Sequence, residues 1–173
     1  MTNLEQVPME GATEEQIQAI RDAVLETFAM ICGESPTYKG EGGAGEPSDC
    51  VAAVVSIVGK LAWSLMLGFP RETAPALVSG FTGLDIPYES SDMSDAVGEL
   101  ANILAGDVVA RFEALGVKVE MSLPTIMRGT DVRTKNPEGT IAIRMHFECP
   151  AGPFWLGVIV GDPATQNARK PGS

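Results

Sequence analysis

The chain has 173 residues, 45% hydrophobic and 20% charged, enough to bury one sizeable core as a single globular domain. Its formal net charge is -11, which excludes a nucleic-acid binder, because phosphate recognition needs clustered Lys and Arg, and favours a partner with a basic patch. Cys32, Cys50 and Cys149 are widely spaced, with no CxxC pair, and His146 is the only histidine. These features argue against a disulfide framework, a zinc site or a Cys–His nucleophile, and point to reduced thiols in a cytoplasmic protein.

The opening segment, residues 1–12, is polar and acidic and reads as a tail rather than a signal peptide. Thr13 and Gln16 have the spacing of a capping box, and Ile17, Ile20, Val24, Phe28 and Ile31 follow at helical period up to Gly33. Glu34 to Asp49 is rich in Gly, Pro, Ser and Glu and reads as a loop, with room for a short strand near Thr37 and Tyr38. Its glycines lack P-loop spacing and the terminal Lys-Ser/Thr, so a flexible loop is the better reading than a phosphate cradle. The apolar run from Cys50 to Phe69 could span a bilayer by length. Gly59-Lys60 at its centre instead predicts two strands, Cys50 to Val58 and Leu61 to Phe69, joined by a turn.

After Pro70, Glu72 to Phe81 reads as a short helix closed by Gly83, and Asp85 to Ser91 as a connector. A long helix is expected from about Asp92 to Leu115, with Gly116 as its stop. Val117 to Leu123 alternates like a strand, Pro124 ends it, and Arg128 to Gly139 is a polar turn region. Thr140 to Cys149 and Phe154 to Val160 form a second hairpin around Pro150 to Pro153. The remainder, 162–173, reads as a tail, which leaves 13–161 as the domain. The expected fold is α+β: duplicated helix–strand–strand units in a mainly antiparallel sheet, with the long helices packed on one side.

The long helix carries the functional signal. Val97, Leu100, Ala101, Leu104, Val108, Phe112 and Leu115 mark its apolar stripe. Glu99 and Asn102 fall on the opposite face, three residues apart and therefore neighbours, with Asp95 one turn before and Gly106 one turn after. Each interior Gly costs about 1 kcal/mol relative to Ala, so Gly98 and Gly106 suggest an open face that another surface approaches closely. An Asn amide is neither base nor nucleophile, but it can hold a water in line with a phosphorus atom. An exposed Glu and Asn are otherwise ordinary solvated residues.

This stretch resembles the signature of the CheC/CheX/FliY chemotaxis phosphatases: an Asp or Ser, Glu four residues on, Asn three further, and a Pro downstream. Here these are Asp95, Glu99, Asn102 and Pro124, the Asn-to-Pro spacing falling one residue short of the family's. The words GELANILAG and SLPTIMRG also look like the family. The resemblance implies a phosphatase acting on the phospho-aspartate of a CheY-type response regulator. In that role Asn102 would align the attacking water and Glu99 would pair with the regulator's active-site Lys. Asp95, Gly98 and Gly106 would meet the partner, and Mg²⁺ would belong to the regulator, leaving this chain without a cofactor or metal of its own.

Aligning Gly33 with Gly106 sets Glu26 against Glu99 and Ala29 against Asn102, so the first copy has lost its amide and one working site is expected, as in CheX. By the same resemblance a homodimer is expected, with the apolar hairpin Thr140 to Val160 supplying the paired edge. Membrane insertion is not expected. The alternative is a non-catalytic module of the same fold, one that docks a response regulator or resembles the middle domain of flagellar switch proteins.

Overall fold

The computed structural model describes residues 11–42, 49–130 and 138–161. Most of the two expected tails, the glycine-rich centre of the first loop and much of the polar turn region lie outside the described residues. Helix α1 (Glu14–Cys32) opens on the capping box: the Gln16 amide donates to Thr13 Oγ1 at 3.1 Å, and the Thr13 amide donates to Gln16 Oε1 at 3.0 Å. It stops at Gly33, whose φ of 79° suits glycine. Then follow β1 (Thr37–Gly42), β2 (Cys50–Gly59), β3 (Ala62–Pro70), α2 (Ala74–Thr82) and α3 (Ser91–Ala114). The chain closes with β4 (Val119–Met121), β5 (Thr125–Gly129), β6 (Ile141–Cys149) and β7 (Gly152–Val160).

All the strands join one antiparallel sheet in the order β1-β6-β7-β3-β2-β4, with β5 also paired to β2. Its centre is the pairing of β3 with β7, from Trp63 opposite Val160 to Gly68 opposite Trp155. The order reads as a pseudo-two-fold. The unit α1-β1-β2-β3 and the unit α3-β4/β5-β6-β7 each fold their last two strands into a hairpin and lend their first strand to the other's hairpin. The expected duplication is therefore present with an additional, exchanged strand in each copy. Cys50–Phe69 is a hairpin, as Gly59-Lys60 predicts.

Period-two alternation sends Val51, Ala53, Val55 and Ile57 of β2, with Trp63, Leu65, Leu67 and Phe69 of β3, toward the helices. Helices α1 and α3 pack side by side on that face. Phe28 of α1 sits in an aromatic cluster, 4.5 Å from the Phe154 ring and 6.0 Å from that of Phe69. Phe112 of α3 meets Trp63 edge-on at 5.4 Å. On the other face Cys50, Ala52, Met66 and Trp155 form a second buried cluster, with the Arg144 guanidinium 4.1 Å above the Trp155 ring.

Three expectations are corrected. The strand expected over Val117 to Leu123 shrinks to Val119–Met121, because Ser122 turns to bond β2 and Leu123 precedes a proline. Thr125–Gly129, expected partly as turn, is a strand. The C-terminal hairpin is not an edge: β6 is covered by β1 and β7 by β3, so the outer strands are β1 and β4/β5.

A Cβ built on Gly68 would stand 2.1 Å from Trp155 Cζ2. Gly68→Ala should therefore lower stability by about 1–3 kcal/mol through overpacking. A urea midpoint equal to wild type would refute this account of the central pairing.

Candidate functional site

Helix α3 begins at Ser90, whose Oγ accepts from the Met93 amide at 3.3 Å. Its start is held from the sheet by Arg128 of β5. That guanidinium donates to the Tyr88 carbonyl, to the Ser90 carbonyl at 3.2 Å and to Ser94 Oγ at 2.6 Å. Tyr88 is buried and donates to Asp49 Oδ1 at 3.2 Å. Burial, then the Asp49 carboxylate, push its phenol up to about 12, which keeps it a donor at neutral pH. Arg71 completes the cluster, stacked 4.6 Å from the Tyr88 ring and ion-paired with Asp49 and Glu89. Sequence reasoning missed Arg128, because nothing local shows that a residue expected in a polar turn reaches Ser94, 34 residues before it.

From this anchored start, Met93, Val97, Leu100, Leu104, Val108 and Phe112 go into the core. Asp95 and Glu99 are exposed, Asn102 is half-buried and Gly106 is exposed. At about 100° per residue the four lie within an arc of about 60° on the helix face opposite the sheet. Neither Glu99 nor Asn102 makes a hydrogen bond or ion pair with another described residue, so both polar heads are available to a second molecule.

The two glycines separate. Gly106 has open space where a Cβ would stand. Gly98 does not belong to the open face: it is buried, and its missing Cβ would lie 3.1 Å from Ile126 Cδ1 and 3.8 Å from Pro124 Cγ. Its role is to let β5 and the Pro124 corner close against α3, a correction to its expected place in partner contact. Pro124, the distant member of the sequence pattern, is thereby brought beside the helix that carries Glu99 and Asn102.

The equivalent face of α1 is disarmed. Glu26 is ion-paired to Arg111 of α3 at 2.5 Å, and Arg111 is also held by Asp107 at 3.1 Å. Ala29 stands where α3 has Asn102, and Leu25 where it has Gly98. One further likeness escaped the sequence reading: Asp22 matches Asp95, so α1 keeps both acids but lacks the amide.

No group of three His, Cys, Asp or Glu among the described residues is placed to hold a metal. His146 lies in β6 between Met145 and Phe147, and burial, reinforced by Arg144, depresses its pKa. Burial and the neighbouring Cys149 push the Cys32 thiol up to about 12. Neither group is poised as a nucleophile. No described helix is long and apolar enough to cross a membrane.

The family model described as "Chemotaxis phosphatase CheX" matches residues 51–148, which include the hairpin, all of α3 and the Pro124 corner. The chain belongs to the CheX family. It is 30% identical over 130 residues to the CheY-P phosphatase CheX of Thermotoga maritima, a match covering 69% of this chain and 79% of that one. Among solved structures it resembles a CheC-like superfamily protein from Shewanella sp. PV-4, with TM-score 0.78, 16% identity, 87% of this chain covered and 100% of that one. It also resembles a chain of the CheX–CheY–BeF3–Mg²⁺ complex of Borrelia burgdorferi, with TM-score 0.70, 20% identity, 84% of this chain covered and 96% of that one. The α+β fold is that of the CheC/CheX relatives, and the family is one of chemotaxis phosphatases.

The two glycines give opposed expectations. Gly106→Ala should raise stability by about 1 kcal/mol, since the helix gains propensity and the added methyl meets nothing. Gly98→Leu, which copies Leu25 of α1, should lower it by about 1–3 kcal/mol by forcing β5 away. Paired thermal melts check both, and a destabilised Gly106→Ala would refute the open-face placement.

Proposed function

We propose that this chain hydrolyses the phospho-aspartate of a CheY-type response regulator, with Asn102 and Glu99 as its catalytic residues. The observation that carries the reading is their placement: two polar side chains without a partner among the described residues, adjacent on one exposed face of a helix anchored at its start, in a chain of the CheX family. Asn102 accepts and donates hydrogen bonds to a water and holds it opposite the acyl-phosphate bond. The water oxygen bonds to phosphorus, the bond from phosphorus to the aspartyl oxygen breaks, and the regulator recovers its carboxylate as inorganic phosphate leaves. Positioning and electrostatics carry such a transfer, so a water-orienting amide is sufficient equipment on this side. Glu99 pairs with a lysine of the regulator's site, and Asp95 and Gly106 border the contact. Mg²⁺ is the regulator's; the Borrelia burgdorferi complex, which contains CheY, BeF3 and Mg²⁺, supports that assignment. The reaction belongs in the cytoplasm, where such regulators are phosphorylated.

The test is acyl-phosphate lifetime on candidate CheY-type regulators. Asn102→Ala should reduce the rate on the order of 100- to 1000-fold with folding intact, as loss of one transition-state hydrogen-bonding group does. Glu99→Ala should raise KM as well as lower the rate. Glu26→Ala should leave the rate unchanged, since its helix lacks the amide. Full activity in Asn102→Ala would overturn the catalytic assignment. A wild type that binds a regulator without shortening its phosphorylated lifetime would favour the docking module.

We also infer a homodimer. Its pairing strand is β1, because the hairpin first expected to supply the edge is interior to the sheet. Among the described residues nothing pairs with the outer side of β1, which leaves backbone donors and acceptors that a second copy can satisfy. Light scattering should give twice the chain mass at micromolar concentration, and a monomer throughout would remove the dimer.

A further inference from the structure

We propose that Leu123 is the apolar anchor that seats the phosphorylated receiver domain beside Asn102. This rests on the phosphatase reading above and adds the surface that supplies affinity. Leu123 is 86% exposed, the most exposed of the large apolar side chains among the described residues. A single exposed leucine is ordinary; its position and its rigid frame are what distinguish this one.

The position follows from β5 running antiparallel to α3. Arg128 bonds Ser94, and Ile126 packs at Gly98. Two residues further back along extended chain advance about 6.6 Å. That equals between four and five helical residues at about 1.5 Å each. Pro124, which also contacts Gly98, and Leu123 beyond it therefore lie alongside the turn of α3 that runs from Gly98 to Asn102. This corner also lies on the same flank, since Gly98, which Pro124 contacts, is about 40° around the helix from Asn102. Ile103, 38% exposed, lies about 40° from Glu99 on the opposite flank. The polar row of Asp95, Glu99 and Asn102 is thus bracketed by two aliphatic side chains.

The frame is fixed on both sides of Leu123. The Ser122 amide donates to the Ser56 carbonyl at 2.9 Å, and Ser122 Oγ accepts from the Ser56 amide at 2.9 Å. The Ser122 hydroxyl also donates to the Leu123 carbonyl at 3.0 Å. Pro124 restricts Leu123 to extended backbone and packs at Gly98. Little backbone entropy remains to be lost on docking, which favours binding through preorganisation.

The occupant is a receiver domain with an acyl phosphate among cationic groups. Asp95 and Glu99 complement those cations, but exposed ion pairs contribute little affinity. Burying one leucine contributes about tenfold or more.

The experiment is equilibrium binding of a CheY-type receiver loaded with BeF3 and Mg²⁺, with turnover of the phosphorylated receiver measured in parallel. The proteins compared are wild type, Leu123→Ser and Met30→Ser. Met30 is 79% exposed and holds in α1 the place of Ile103 in α3. Leu123→Ser should weaken binding and raise KM about tenfold with kcat unchanged. Met30→Ser should match wild type. Equal binding by Leu123→Ser and wild type, or a fall in kcat alone, overturns the anchor and leaves the phosphatase reading intact. A wild type that neither binds nor hydrolyses overturns both. A wild type that binds without hydrolysing, with Leu123→Ser bound tenfold more weakly, supports the anchor and overturns the catalysis.

Discussion

The antiparallel seam between β3 and β7 is the constraint on which the rest of the molecule depends. It joins the two copies of the repeat at the middle of the sheet, over the six paired positions from Trp63–Val160 to Gly68–Trp155. Side chains on its helix face, Leu65, Leu67, Phe69, Phe154, Leu156 and Val158, form the floor on which both long helices sit. Each copy then lends its first strand across the pseudo-two-fold, β1 to β6 and β4/β5 to β2, so neither hairpin is complete without the other copy. The exchange also sets the site. β5 reaches α3 because it pairs with the partner hairpin's β2, and that register brings Arg128 to the start of the helix and Ile126 to Gly98.

Within this near-symmetric frame the two helices have diverged in chemistry more than in packing. Both keep the acidic pair at the same spacing, Asp22 with Glu26 and Asp95 with Glu99. On α1, Leu25 and Ala29 replace Gly98 and Asn102, and Glu26 is engaged by Arg111, itself held by Asp107. An exposed ion pair of this kind contributes only about 0–1 kcal/mol. Its consequence is occupancy: the carboxylate that would meet a partner already has a cation.

The sequence was most legible where period and punctuation agree. Thr13 with Gln16 and Gly33 mark both ends of α1, and Gly59-Lys60 divides the apolar run into β2 and β3. The row Asp95, Glu99, Asn102 and Gly106 could be placed because helical period alone puts those residues opposite the core stripe. Gly98 could not be read this way. It sits about 40° from Asn102 in projection, and only the approach of Ile126 and Pro124 shows that it is buried. Strand β5 was obscured by Pro124 and Arg128 and by an outer position that imposes no strict alternation. The exchange of first strands is a long-range pairing without a local signal, which is why the C-terminal hairpin read as an edge.

The exposure of the proposed catalytic row also has a physical rationale. A water-orienting amide gains most in a site of low dielectric from which other water is excluded. Asn102 lies on a convex helix with no such enclosure among the described residues, so under the proposed mechanism the enclosure comes from the phosphorylated partner. What this chain must supply is geometry, because positioning errors of about 1 Å cost large factors in rate. The supports lie behind the row rather than around it. Arg128 fixes the start of α3 through two carbonyls and a hydroxyl, and Tyr88 locks that corner to Asp49. Gly98 lets β5 close against the helix, and Phe112 packs its far end onto Trp63. In the proposed reaction this chain holds the rigid edge, and the cavity in which that edge works belongs to the other molecule.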